Sequence, residues 1–281
     1  AGFFGFFDYN KPGKGVDKDV YEPRLKIFFD VFFRKFWKLL KLNMLYCICS
    51  LPLLAVFLLL APIKAESTDQ QVIQMFRFSI ACLLYLSVIG LGFIMPGFTY
   101  VLRNFARQTH AWVASDFFEH IKKNFKQSAA LFLIDTAAVY LFYVNMQFYS
   151  QLATSNSLML FAKLLVIMIG IVYFMMHFYI YQIMVTFDMK LKQILKNSLV
   201  LTFAHLPRNL MVLVIIVMIA VLTFSMYVGI GILISFVLSV VLIGYIVNFM
   251  AEPIIARYML EPLEDLAEAE EKVFNDNEIN E

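Results

Sequence analysis

The chain has 281 residues, of which 61% are hydrophobic and only 16% are charged, and its formal net charge is +2. A soluble globular domain is nearer a quarter charged, so this composition indicates a membrane protein. The sequence contains no basic face interleaved with aromatic residues, which argues against nucleic-acid binding.

The stretch from Arg24 to Ile63 joins a basic, aromatic segment to an apolar one. Charged residues recur every three or four positions in the first half: Lys26, Asp30, Arg34, Lys38 and Lys41. This spacing predicts an amphipathic helix in the membrane interface, and the second half is long enough to cross a bilayer. The alternative is a buried helix of a soluble protein, which the recurrence of similar apolar segments disfavours.

Five more apolar segments predict an all-α bundle of six transmembrane spans. They cover approximately Phe76–Leu102, Ser128–Tyr149, Leu158–Phe187, Arg208–Tyr227 and Ile232–Met250. Gly90, Gly92, Pro96 and Gly97 lie near the end of the second span. Such a cluster predicts a bend or a close approach between helices.

The basic residues indicate which way the spans point. All but three of the 23 lysines and arginines fall before the first span, in the polar segments 103–127 and 188–209, or in the tail. The positive-inside rule then predicts a multi-pass membrane protein with both termini in the cytoplasm. In segment 103–127, Ser115 or Asp116 is expected to cap an interfacial helix beginning at Phe117.

This orientation divides the chain into three parts. Residues 1–42 are predicted to form a cytoplasmic segment with the basic amphipathic helix, residues 43–250 the six-span domain, and residues 251–281 an acidic cytoplasmic tail. Exposed basic residues on the cytoplasmic side are the candidates for docking a partner. They are Arg34, Lys38, Lys122, Lys123, Lys126, Lys192, Lys196 and Arg208.

Four polar residues in or beside the spans are candidate functional groups: Asp135, His177, Lys163 and Glu252. Asp135 lies about 10 Å inside the third span and His177 about 16 Å inside the fourth, counted from their polar ends, so the two side chains can pair. The pair is either a proton- or cation-linked site, or a structural contact that includes a protonated carboxyl. Lys163 is expected to extend to the outer interface, and Glu252 to pair with Arg257 or a loop lysine.

Other polar side chains in the spans predict hydrogen bonds between helices. They are Asn145, Gln147, Gln182 and Asn248. The three cysteines, Cys47, Cys49 and Cys82, have no ligand partners at metal-binding spacing and are interpreted as packing residues. No motif for a cofactor, a metal or a catalytic group is present, so we do not expect an enzyme.

Several motifs resemble one known family. They are GFFDYNKPGKGVDKD and FFDVFFRKFWKLLKLNMLYCICSLP in the first 52 residues, PGFTYVLRNFARQ and DFFEHIKKNFKQSAALFLI between Met95 and Ile134, and LPRN from Leu206 to Asn209. In this order they resemble the YesL-like family, also called domain of unknown function 624. The resemblance implies a polytopic membrane protein of Gram-positive bacteria, of a kind commonly encoded beside carbohydrate importers.

The resemblance and the basic segments together predict a non-enzymatic accessory or assembly subunit of a carbohydrate ABC importer. Its partners would be the importer's permease or ATPase subunits, besides the lipid bilayer. The alternative is an independent small-solute or ion-coupled transporter with Asp135 in its pathway. A purely structural or lipid-binding membrane protein is a third possibility.

Overall fold

A computed structural model of the chain describes residues 23–60, 68–90, 92–152, 157–225 and 227–262. Among these residues there are ten α-helices and no strand, so the predicted all-α fold is confirmed. The helices are α1 (Arg24–Arg34), α2 (Phe36–Leu60), α3 (Thr68–Leu84), α4 (Met95–Ala106), α5 (Val113–Leu152), α6 (Ser157–Thr186), α7 (Leu191–Ala204), α8 (Leu206–Phe224), α9 (Val228–Ile234) and α10 (Val240–Ile255).

Four of the described helical segments are long and apolar enough to cross a membrane. They are Val113–Leu152, Ser157–Thr186, Leu206–Phe224 and Gly229–Leu260, which correspond to the predicted third to sixth spans. Length and apolar composition are the requirements for a spanning helix, so the prediction of a polytopic bundle is confirmed. The count of six, which includes α2 and the α3–α4 pair, stays a prediction.

Helix α4 forms the centre of the bundle. It packs against α5, α6 and α10, and every one of its residues except Tyr100 is buried. A Cβ atom on Gly97 would lie 2.2 Å from the backbone oxygen of Phe117, and one on Gly244 would lie 2.6 Å from the ring of Phe98. Glycine at these positions therefore lets α5 and α10 approach α4 closely, as the cluster of small residues predicted.

The predicted second span, Phe76–Leu102, is broken at its cluster of glycine and proline residues. Helix α3 passes into a π-helical turn at Tyr85–Ile89, Gly90 adopts a φ of +66°, and α4 begins only at Met95. A break of this kind leaves backbone carbonyls without helical partners, which is tolerated at membrane depth only where other groups bind them. Here the hydroxyl of Tyr46 donates to the carbonyl of Leu86 (2.7 Å) and that of Tyr181 to the carbonyl of Ile89 (2.8 Å).

The last span contains a second π-helical turn, Ser235–Ser239, between α9 and α10. The buried side chain of Asn43 in α2 binds this turn from both ends. Its amide donates to the carbonyl oxygens of Ser235 (3.2 Å) and Phe236 (2.5 Å), and its oxygen accepts from the backbone N–H of Val241 (2.7 Å). One amide side chain thus satisfies three backbone groups of the neighbouring helix.

The boundaries of the two predicted interfacial helices differ from expectation. Helix α1 is separated from α2 by a turn at Lys35. The second interfacial helix, expected to begin at Phe117, begins at Val113 and continues without a break through the third span as α5. The predicted segments 1–22 and 263–281 lie outside the described residues.

Candidate functional site

Asp135 of α5 and His177 of α6 meet inside the bundle. The Nε2 atom of His177 lies 3.1 Å from Oδ1 of Asp135, and both side chains have no exposed surface. The contact predicted from their depths is therefore present. Burying a carboxylate beside an imidazole is favourable only when the groups share a proton or form an ion pair, so each of the two side chains is the polar partner that the other needs inside the bundle.

Tyr173 is a third member of this site, and the sequence analysis missed it. Its hydroxyl donates to Oδ1 of Asp135 (2.5 Å), and its carbonyl oxygen lies 3.0 Å from Nδ1 of His177. Tyr173 and Tyr181 stand four residues before and after His177, so all three share one face of α6. This spacing of aromatic and imidazole side chains was the signal that could have identified Tyr173.

The second carboxylate oxygen of Asp135 is buried and has no hydrogen-bond partner among the described residues. Most buried polar atoms in folded proteins are hydrogen-bonded, and an unpaired one destabilises the fold by roughly 1–3 kcal/mol. An unpaired carboxylate oxygen at the centre of a bundle is the kind of strain found at functional positions, as well as at sites filled by water.

An apolar cavity of about 720 Å³ lies beside the cluster, between α3, α5, α6 and α8. Its wall includes the rings of Tyr85, Phe142 and Tyr173 and the small surface of Gly170. Tyr85 and Ile89, at the two ends of the π-helical turn, also line it. Irregular backbone next to a buried carboxylate and a cavity is a typical arrangement of substrate and ion sites in transporters.

The basic segments meet at one end of the bundle, which we call the basic end and define as residues 24–38, 103–127, 188–209 and 252–260. Lys35 Nζ donates to the carbonyl of Thr109 (2.7 Å), which joins the α1–α2 turn to the loop after α4. Gln127 Nε2 donates to the carbonyl of Met189 (2.8 Å), which joins α5 to the loop before α7. The positively charged segments therefore share one side of the fold.

Glu252 has different partners from those predicted. Its carboxylate lies 3.3 Å from Arg24 Nη2 and 3.8 Å from Arg107 Nε, so the expected pair with Arg257 or a loop lysine is wrong. Its side chain is 12% exposed and connects α1, the loop after α4 and α10. These arginines are more than 140 residues away along the chain, and sequence spacing carries no information about such contacts.

Helix α7 is a short amphipathic helix of the basic end, between the two spans α6 and α8. It buries Ile194, Ser198 and Leu201 against the bundle. Lys192 and Lys196 are exposed, and so are the apolar side chains of Leu199, Val200 and Phe203. An exposed surface that mixes positive charge with apolar side chains is suited to a protein partner or a lipid interface.

The remaining predicted residues have the following places. Seven of the eight docking candidates are exposed at the basic end: Arg34, Lys38, Lys122, Lys123, Lys126, Lys192 and Lys196. Arg208 is half-buried at the start of α8, and Lys163 is half-buried near the start of α6, at the opposite end of the bundle. Neither Lys163 nor Glu252 joins the Asp135–His177–Tyr173 cluster, so of the four predicted polar residues Asp135 and His177 are the two that meet.

The predicted interhelical hydrogen bonds are present in part. Gln182 Nε2 donates to the carbonyl of Asn248 (3.0 Å) and so links α6 to α10. The amides of Asn145 and Asn248 instead donate to carbonyls of their own helices, Leu141 and Gly244. Of the described residues, no three His, Cys, Asp or Glu side chains are grouped as metal ligands.

The helices and the buried polar cluster define a polytopic, all-α membrane protein. Residues 39–146, which run from α2 through most of α5, match the family described as "Protein of unknown function, DUF624". This match supports the resemblance to domain of unknown function 624 found in the sequence. No curated protein and no solved structure matches the chain.

Proposed function

We propose that this membrane protein is a non-enzymatic accessory or assembly subunit of a carbohydrate ABC importer. The observation that carries the proposal is the basic end, where exposed lysines lie on three chain segments, one of which is the amphipathic helix α7. Complementary charge steers partners to such a surface, and exposed apolar side chains within it provide the contact that holds them.

The choice of partner rests on the family resemblance and on the position of α7. A short helix between two spans is accessible both to neighbouring membrane helices and to a peripheral subunit on the same side. Permease or ATPase subunits of an importer present both kinds of surface. The acidic tail is a further candidate contact, which the same experiment can test by truncation.

Co-purification from native membranes tests this proposal. A tagged full-length chain is solubilised in mild detergent, and the proteins that accompany it are quantified by mass spectrometry. Importer subunits are expected to be enriched. Recovery of the chain without any transporter subunit would contradict the proposal.

Charge reversal tests whether α7 provides the contact. We expect the double substitution Lys192→Glu and Lys196→Glu to reduce importer recovery by roughly tenfold, as for removal of two close charge pairs worth about 1.4 kcal/mol together. Lys163→Glu is the matched control, because Lys163 lies at the opposite end of the bundle. An equal loss in the control would assign the effect to folding.

The buried cluster favours a second candidate function, an ion-coupled transporter of small solutes. Asp135 lies beside the broken second span and the 720 Å³ cavity, which together resemble the surroundings of a coupling site.

In proteoliposomes, Asp135→Asn is expected to abolish solute flux driven by an ion gradient. Thr136→Val is the control, since the Thr136 hydroxyl donates to the carbonyl of Phe132 in its own helix and, among the described residues, to no other group. No flux from the unmodified protein would remove this candidate.

A further inference from the structure

We propose that Asp135 and His177 hold one exchangeable proton between them, and that Tyr173 separates this proton-binding site from the apolar cavity. The inference deepens the second candidate function. It also stands without solute transport, because it concerns a proton and a barrier that can be measured in the isolated protein.

The orientation of His177 fixes one of its two ring nitrogens as a donor. Nδ1 lies 3.0 Å from the carbonyl oxygen of Tyr173, which can only accept a hydrogen bond. Nδ1 therefore carries a hydrogen. The other nitrogen, Nε2, faces Oδ1 of Asp135 at 3.1 Å, and this is where the next proton is placed.

A count of protons at this contact leaves one arrangement that fits. With no proton, two acceptors would face each other at 3.1 Å, which is repulsive. With two protons, the second would lie on Oδ2 of Asp135, where the described residues offer no acceptor. One proton satisfies the contact, either on His177 as an imidazolium or on Asp135 as a carboxylic acid.

None of the described groups that face the Asp135–His177 pair supplies a positive charge in place of the shared proton. Tyr85, from the π-helical turn after α3, and Tyr173 and Tyr181, from α6, are its titratable neighbours. Within the part of the chain that the structure describes, His177 is the one ion-pair partner of Asp135. No lysine or arginine of the described residues neutralises the buried carboxyl group, so the Asp135–His177 pair has zero net charge only when the two groups share one proton.

Tyr173 is the wall between this site and the cavity. Its ring lines the cavity, while its hydroxyl is held by Oδ1 of Asp135 on the other side. Asp135 itself has no exposed surface. Rotation of this single side chain would open a path from the cavity to the carboxyl group.

Dicyclohexylcarbodiimide, a hydrophobic carbodiimide, tests both the protonation of Asp135 and its separation from the cavity by Tyr173. It reacts with a carboxyl group that is protonated and that the reagent can reach. A carboxylic acid adds its oxygen to the central carbon of the reagent and its proton to one nitrogen. The acyl group then migrates to nitrogen to give a stable N-acylurea, with no leaving group. The purified full-length protein in detergent is expected to gain one reagent mass, on the peptide that contains Asp135, and Asp135→Asn is expected to lose this label.

Variants of α6 test the barrier. Tyr173→Ala is expected to raise the labelling rate about tenfold, because it removes both the ring and a hydrogen bond to the carboxyl group. Phe174→Ala is the matched control, since Phe174 lines the same cavity and its ring cannot donate a hydrogen bond to Asp135. Tyr173→Phe, which keeps the ring, is expected to give a smaller rise in the labelling rate. This variant keeps the test decisive if Tyr173→Ala does not fold. Equal rates in all folded variants would overturn the role of Tyr173.

Infrared difference spectra between the unmodified protein and Asp135→Asn test the shared proton independently. A carboxylic-acid carbonyl band is expected, and His177→Gln is expected to shift it, because glutamine cannot take up the proton. Absence of the band and of the carbodiimide label, with no imidazolium band of His177 in their place, would overturn the proton site. A band that His177→Gln leaves unmoved would overturn the sharing.

Discussion

Lys35 lies in the turn between α1 and α2, where its amine donates to the carbonyl of Thr109 and stands 4.5 Å from the centre of the Phe105 ring. Both contacts favour the charged amine. Burial and the positive charges of Arg34 and Lys38 act in the opposite direction and are stronger, so they lower the pKa of Lys35 from 10.5 to about 8. The structure therefore predicts an unusually reactive lysine outside the spans.

This shift predicts a pH dependence with a definite sign. Acetylation of Lys35 by acetic anhydride, followed by mass spectrometry, should reach half its maximal rate near pH 8 in the folded protein and near pH 10.5 in the denatured chain. Between these values the unfolded chain binds a proton that the folded chain lacks, so the contribution of Lys35 to stability rises with pH. Arg34→Gln should move the folded midpoint upward, and an unchanged midpoint would contradict the stated cause.

Asn43 is expected to be one of the residues on which stability depends most. Asn43→Leu would remove a hydrogen-bond partner from the half-buried carbonyls of Ser235 and Phe236 and from the buried backbone N–H of Val241, at a cost of roughly 2–4 kcal/mol. Thermal unfolding in detergent measures the loss as a lower Tm. Asn145→Leu should change Tm much less, since Asn145 donates only within its own helix.

At the residue scale, sequence reasoning succeeded where depth in the membrane was sufficient information. Counting residues from the polar ends placed Asp135 and His177 at compatible depths, and the structure brings them into contact. The same counting cannot indicate which helix face meets which, so it could not assign Asn43 to the Ser235–Ser239 turn or Glu252 to Arg24 and Arg107. Those contacts depend on how helices from distant parts of the chain pack.

At the scale of single elements, the close contact of α4 with α5 gives the sharpest prediction. Gly97→Ala would place a methyl group 2.2 Å from the backbone oxygen of Phe117, which cannot move without shifting the helix, and should lower stability by roughly 1–3 kcal/mol. Gly170→Ala is the control, because its methyl group would meet only the edge of the Phe142 ring. Helix propensity favours alanine there by up to about 1 kcal/mol.

Thermal unfolding of both variants decides the matter. We expect a clear fall in Tm for Gly97→Ala and little change or a small rise for Gly170→Ala. Equal effects of the two substitutions would show that α4 and α5 are not held at the distance described.

Apolar length predicted the positions of helices well and their continuity poorly. The fourth span was expected at Leu158–Phe187 and is found as α6, Ser157–Thr186. The second span was predicted from Phe76 to Leu102 with a bend or a close approach at its Gly/Pro cluster, and it is interrupted between Leu84 and Met95. Hydropathy alone cannot distinguish these cases, because buried tyrosines such as Tyr46 and Tyr181 supply the hydrogen bonds that make the interruption stable.

At the scale of the whole molecule, the crossing of α5 gives a prediction of sidedness. Lys122 lies at the basic end, and Leu158 follows the far end of α5 at the start of α6. In a chain without its three native cysteines, Leu158→Cys should react with an impermeant maleimide on intact cells. Lys122→Cys should react only after the membrane is permeabilised.

Each alternative result of this labelling has a distinct meaning. Labelling of Lys122→Cys alone on intact cells would reverse the orientation predicted from the basic residues. Labelling of both positions on intact cells would show that α5 does not cross the membrane between them.

The length of α5 has a consequence for communication between the two regions of the protein. Its 40 residues form a rod about 60 Å long, roughly twice the thickness of the hydrocarbon layer, so one unbroken helix carries both Lys122 and Asp135. If a partner bound at Lys122 tilts the aqueous part of this helix, we expect Asp135 to move against His177 as well. The partner would then change the affinity of the Asp135–His177 pair for its shared proton. Thermodynamic linkage requires that binding of this proton change the affinity for the partner by the same factor.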